Sequence, residues 1–337
     1  MTPSTTTSPP LRNKARLLIL PALCLLLASP ACQQRKQAEA METRIRLSPM
    51  TVSQPVLRQP GMRESQDLSR VGFLIETGWT SGPIEMRFPE VLRSDAGFHF
   101  LDHYVSAITP LAEWKQYPQW RSDPQSGGLS YEFKTPDGLR LIASAIPAGD
   151  EVKLEFTVIN ESAGPLNNIE ANCCLTFGGC PELNDARNPA MIHAVLDGRF
   201  QSLDHATPTP SEMRRDPWFL IVRDESTELS KVSPTWWRID QHHTENLMAA
   251  TTRDGKYLVG YTWDREPVGL MSNVNNPCLH TGMGASPEIP PGGSFTWRGK
   301  IYLLPNTPDE LLRRYHNDQS AWKKPSTPST PSTPSTP

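Results

Sequence analysis

This chain has little of what most enzyme signatures require. It carries no Gly-x-Ser-x-Gly elbow, no phosphate-cradling glycine loop and no dinucleotide fingerprint. That argues against a serine nucleophile and against nucleotide chemistry. Neither His-Glu-x-x-His nor Cys-x-x-Cys spacing occurs, so no metal and no cofactor is expected. Charge is nearly balanced, with 33 Lys and Arg against 36 Asp and Glu for a net of −3. Such a surface offers nucleic acid no electrostatic attraction. The sequence has no apolar run of the roughly 20 residues that a membrane-spanning helix needs. No fixed-period repeat stands out.

What is present at the two ends is compositional. Arg12, Lys14 and Arg16 precede an apolar stretch at 17–28, and Ser29-Pro30-Ala31 places small residues before Cys32. This pattern predicts an export signal over 1–31. A cysteine next in line predicts a protein lipidated at Cys32 and anchored to a bacterial cell envelope membrane; a periplasmic or secreted product is the alternative. Residues 33–67 are polar, with Pro49, Pro55 and Pro60, and read as a tether. Residues 323–337 end in Ser-Thr-Pro repeats and are expected to be a disordered, extended tail.

The remaining stretch, 68–322, has the size of one large domain, expected to be monomeric. Of the 6 cysteines, Cys173, Cys174, Cys180 and Cys278 fall inside it. Export permits disulfides, and a short loop closed by Cys174 and Cys180 is expected; buried free thiols are the alternative.

Period-2 alternation dominates this domain. Val152, Leu154, Phe156 and Val158 share one face, and Lys153, Glu155 and Thr157 the other. Thr135-Pro136-Asp137-Gly138 reads as a hairpin turn before the strand that begins at Leu139. Strands are also expected over 71–76, over 84–88 ending at Pro89, and over 97–104. Further strands are expected over 169–177, 218–224, 236–240, 247–252 and 257–263, with a long closing strand containing Phe295, Trp297, Ile301 and Leu303. A short helix at 311–315 follows Thr307-Pro308-Asp309-Glu310. Asp264 and Glu266 read as solvated turn residues.

Two stretches carry a family resemblance: TPDGLRLIASAIPAGDEVKLEFTVINESAGPLNNIEANCCLTF, and PCLHTG followed by IPPGGSFTWRGKIYLL. They resemble exported bacterial proteins of the galactose mutarotase-like class. The resemblance implies an all-β fold, a large two-sheet antiparallel β-sandwich (supersandwich) with one short C-terminal helix, and a carbohydrate or polyol ligand. Mutarotases have a His-Pro-Tyr-Phe-type segment and a later catalytic glutamate in a Pro-Glu context. Neither His193 nor His280 lies in such a segment. The pairs Pro89-Glu90, Pro181-Glu182 and Pro287-Glu288 lack the matching surroundings, so mutarotation is not implied.

Three groups of residues are candidates for a site. His280, in Asn276-Pro277-Cys278-Leu279-His280, is suited to general acid–base chemistry, with Glu288 as its partner. His243 and Glu245 share a face if their segment is extended, and could join His280 in catalysis. Trp114 and Trp120 on a loop, with Trp237 from the Trp236-Trp237 pair, could stack on sugar rings. Arg121, Arg187 and Arg238 could clamp a carboxylate, and Asn276 could bind ligand. An enzyme of epimerase, lyase or hydrolase type predicts that His243, Glu245, His280 and an arginine converge. A sugar-binding module predicts exposed tryptophans, and an envelope structural component predicts no cleft.

Overall fold

The computed structural model describes residues 45–50, 71–101, 111–112, 114, 116–185, 188–205, 218–223, 236–267, 269–273 and 277–323. The stretch read as an export signal, Cys32, Arg187, Asn276 and the Ser-Thr-Pro tail lie outside these residues. Of Trp237 and Arg238 the backbone alone is described.

The described residues form two nine-stranded sheets. The first runs in the order Arg46–Pro49, Gly72–Glu76, Ile84–Ser94, Glu170–Thr176, Cys278–Thr281, Gly269–Asn273, Trp218–Val222 and Trp236–Arg238, with Gly97–Leu101 also paired to Ile84–Ser94. The second runs Arg199–Ser202, Ile192–Leu196, His243–Thr251, Tyr257–Trp263, Ser294–Pro305, Glu151–Asn160, Leu139–Ala148, Leu129–Lys134 and Arg121–Ser122. Pairing is antiparallel except for Trp218–Val222 against Trp236–Arg238, which is parallel. The all-β two-sheet sandwich expected from the sequence is therefore the observed architecture.

Alternation decides which residues face the space between the sheets. Phe73, Ile75, Met86, Phe88, Cys173, Leu175 and Leu279 of the first sheet meet Phe156, Val259, Tyr261, Trp263, Trp297 and Ile301 of the second in one buried core. Phe88 lies 5.7 Å from Phe156 and 5.6 Å from Trp263 between ring centroids. Rings of this size dominate the apolar area removed from water.

Residues of opposite parity on the second sheet, Leu247, Ala249, Leu258, Tyr302 and Leu304, pack with Leu311 and Tyr315 of the helix Pro308–Trp322. The helix thus covers the second sheet's outer face. It is longer than the sequence suggests. Thr307 makes no side-chain cap; its hydroxyl donates to the carbonyl of Pro305. The later turns are held instead by sheet partners. Arg314 Nη2 donates to Asp150 at 3.0 Å, and Asp318 accepts from Lys300 at 2.8 Å and from the Tyr302 hydroxyl at 2.7 Å.

Pro89 does not end its strand. Ile84–Ser94 continues past it with a register shift between Arg87 and Val91. The bulge inserts extra residues and re-aims the side chains there, which brings Glu90 back beside Arg87.

Candidate functional site: a buried polar cluster on the first sheet's outer face

Near the middle of the first sheet, the residues that alternate with the core-facing set are polar or sulfur-bearing. Arg87 is the register partner of Cys174. On the other side of Cys174's strand, Cys278 pairs with Thr176 and Leu279 with Leu175, so His280 falls in the row of Cys174. Met271 lies opposite His280 on the next strand. Side chains two apart on a strand share a face, which adds Asn172 and Cys278. Arg87, Cys174, Asn172, Cys278 and His280 therefore stand together on three adjacent strands, facing away from the second sheet.

The contacts are close. Arg87 Nη1 donates to Glu90 Oε1 at 3.2 Å. His280 Nδ1 lies 3.4 Å from Glu90 Oε2 and 3.2 Å from the Asn172 side-chain amide. His280 Nε2 points the other way, to Cys278 Sγ at 3.2 Å. The side chains of His280 and Glu90 are only 3% and 7% exposed.

Burial works against a charged imidazole here, while the sulfur of Cys174 and the carboxylate of Glu90 work the other way, and the net direction for His280 is up. The Cys174 thiol is itself pushed well up by its hydrogen bond to Cys278 and by burial. Of the two, the Glu90 carboxylate is the one that faces His280 Nδ1. A protonated Nδ1 requires an acceptor from Asn172. The amide oxygen, which has no hydrogen-bond partner among the described residues, satisfies it when the amide is turned.

The outcome for the sequence-derived candidates is mixed. His280 is in this cluster, but on a strand rather than a loop. Its carboxylate partner is Glu90, not Glu288, which is exposed beside the Leu166–Ile289 bridge. Glu245 does not converge on His280. Its carboxylate meets His316 of the helix at 3.0 Å, on the outer face of the other sheet. His243 opens a strand of that same second sheet.

Trp114 and Trp120 are not exposed platforms. They are 6% and 8% exposed and belong to the core. Trp114 stacks on Phe100 at 4.3 Å, and Trp120 packs edge-on against Phe73 at 5.2 Å and Tyr131 at 4.7 Å. Two large apolar rings remove more area from water inside the core than on the surface. Arg121 is exposed on the edge strand of the second sheet, away from the cluster.

The Cys174–Cys180 disulfide is not formed. Both thiols are free, as are Cys173 and Cys278. Cys174 faces Cys278 and His280, whereas Cys180 Sγ donates to Glu182 Oε2 at 3.4 Å, and its thiol is pushed up to about 12 by burial and that carboxylate. Asp264 is not solvated either. Burial lifts it to about 6.

Arg87, Glu90 and Asn172 do not stand out in the sequence as site residues. The one signal available was Arg87-Phe88-Pro89-Glu90, a proline in a strand next to two opposite charges, which marks a bulge.

No protein-family model matches this chain, and no curated protein matches it. Among solved structures it is similar to a protein assigned as an aldose 1-epimerase from Escherichia coli, with 12% identity over 64% of this chain and 78% of that one, TM-score 0.39. It is similar to a galactose mutarotase-like protein from Lactobacillus casei, with 7% identity over 70% and 97%, TM-score 0.36. A heparan sulfate lyase mutant from Pedobacter heparinus has 10% identity over 74% and 37%, TM-score 0.25. The likeness is one of strand arrangement at TM-scores below 0.5, and the two-layer architecture stands on the strand pairing above.

Proposed function

We propose that this chain is an exported, lipid-anchored carbohydrate-active protein that holds a sugar or polyol on the outer face of its first sheet. The observation that carries the reading is the His280–Glu90 pair with Arg87 beside it. At 3.4 Å the imidazolium and carboxylate attract each other but do not form a tight hydrogen bond. The imidazolium donates a proton to a sugar oxygen, the carboxylate accepts one, and Arg87 fixes the carboxylate through Oε1.

The leader pattern ending at Cys32 supports export and the lipid anchor, and the sequence resemblance to mutarotase-like sandwiches supports a sugar-like ligand. The burial of Trp114 and Trp120 takes two of the three rings expected for an aromatic binding module out of reach of a ligand.

The test is a panel of aldoses and polysaccharides offered to the full chain, scored for binding and for turnover. The wild type is expected to bind at least one of them. Glu90→Gln and His280→Asn are expected to lose turnover at least 100-fold if the pair does acid–base work. Loss of binding alone in both, with no turnover in the wild type, would favour a non-catalytic sugar receptor. A wild type that binds no member of the panel would defeat the reading.

A further inference from the structure

Glu90 uses only one nitrogen of His280. The other, Nε2, faces two sulfurs. The ligand atoms of Cys174, Cys278 and His280 all lie within 4.8 Å of one another, and all three residues are buried. We propose that these three residues form a binding site for a thiophilic cation of the Zn(II) or Cu(I) kind, with Glu90 as the carboxylate that orients the histidine.

Four observations support the site. Two sulfurs and one imidazole nitrogen are the donor set preferred by zinc and copper(I), and two sulfurs disfavour calcium and magnesium. Cys278 and His280 lie two residues apart on one strand, so they project to one side. Cys174 comes from the neighbouring strand in the row of His280. Rigid strands, not loops, thus fix all three donors. The 3.2 Å between Cys278 Sγ and His280 Nε2 is close to the separation of two donors on a single ion with bonds of roughly 2.3 and 2.0 Å.

The fourth observation is the environment of His280 Nδ1. Metal-bound histidines commonly donate the other ring N–H to a carboxylate or carbonyl. Here Glu90 lies at 3.4 Å and the Asn172 amide at 3.2 Å. A cation on Nε2 replaces the Nε2 proton and leaves Nδ1–H facing Glu90. The metal-bound histidine is then a neutral imidazole that still donates Nδ1–H toward Glu90, and the metal site does not rest on the sugar reading.

The competing account is two buried thiols packed as small apolar groups beside a histidine. It predicts no metal uptake. Stripped, full-length protein is titrated with Zn(II), with Cu(I) under reducing conditions and with Co(II) as a spectroscopic stand-in, and stoichiometry is read by native mass spectrometry. One equivalent is expected, and the cobalt form should show thiolate-to-metal charge-transfer absorption and tetrahedral visible bands. Cys174→Ser and Cys278→Ser should each abolish the charge-transfer band or halve it, while Cys180→Ser, outside the cluster, should leave it unchanged. Glu90→Gln should keep the stoichiometry and weaken affinity by about 10- to 100-fold.

The wild-type spectrum decides the matter even where a serine variant fails to fold. Failure of both Zn(II) and Cu(I) to form a 1:1 complex overturns the proposal. So does a cobalt spectrum lacking thiolate bands, or one unchanged in a folded Cys174→Ser variant.

Discussion

Trp263 lies against Gly299, its antiparallel register partner on the neighbouring strand. A methyl group at Gly299 would come within 2.6 Å of the indole Cε3. The ring is buried, packs on Phe88 at 5.6 Å and donates its Nε1–H to the Tyr261 hydroxyl at 2.7 Å, so it has nowhere to move. Gly299→Ala is expected to destabilise the fold by about 1–3 kcal/mol through overpacking. Urea unfolding followed by tryptophan fluorescence measures this; an unchanged midpoint would show that the indole has room to shift.

Trp120 gives a prediction that separates core from ligand surface. Its contacts with Phe73, Phe88 and Tyr131 make it part of the layer between the sheets. Trp120→Ala should cost about 3–5 kcal/mol of stability. Any loss of ligand binding should then track the unfolded fraction. A variant with wild-type melting but lost binding would return this residue to the role of a sugar platform.

Asp264 sets a pH dependence whose sign is fixed by its surroundings. Burial raises its carboxyl to about 6, against an unfolded value near 4, and Oδ1 has no hydrogen-bond partner among the described residues. The folded state holds this proton more tightly than the unfolded chain does. Its stabilising contribution is therefore complete below about pH 4 and is lost as pH rises through about 6. Relative to Asp264→Asn, the wild type should lose on the order of 2 kcal/mol between pH 4 and 7. Parallel stability profiles for the two proteins would contradict this assignment.

Glu245 supplies a negative control. Its partner His316 is exposed, and an exposed ion pair contributes roughly 0–1 kcal/mol. Glu245→Gln should change the melting temperature by no more than a few degrees and leave sugar and metal binding intact. A large loss of either activity would mean that the two outer faces of the sandwich communicate.

The fold was legible because strand alternation is a local signal. Val152, Leu154, Phe156 and Val158 declare a buried face within seven residues, and they face the core as the pattern requires. The cluster was only half legible. His280 was visible as a titratable residue near a cysteine. Its partners are not local: Glu90, Asn172 and Cys174 reach it through strand register that no short window contains. The tryptophans misled for a related reason. A segment without regular structure looks exposed in sequence, yet Trp114 and Trp120 are buried in the core. The helix was underestimated because its later turns depend on Asp150, Lys300 and Tyr302, all far away in the chain.

The helix Pro308–Trp322 and the His280 cluster occupy opposite outer surfaces of the sandwich. A reporter or immobilisation handle joined after Lys323 would consequently be attached on the side of the sandwich away from the buried histidine, two sulfurs and glutamate. Sensor surfaces for the titrations described above can be built on that polarity, with the chain captured by its C-terminus.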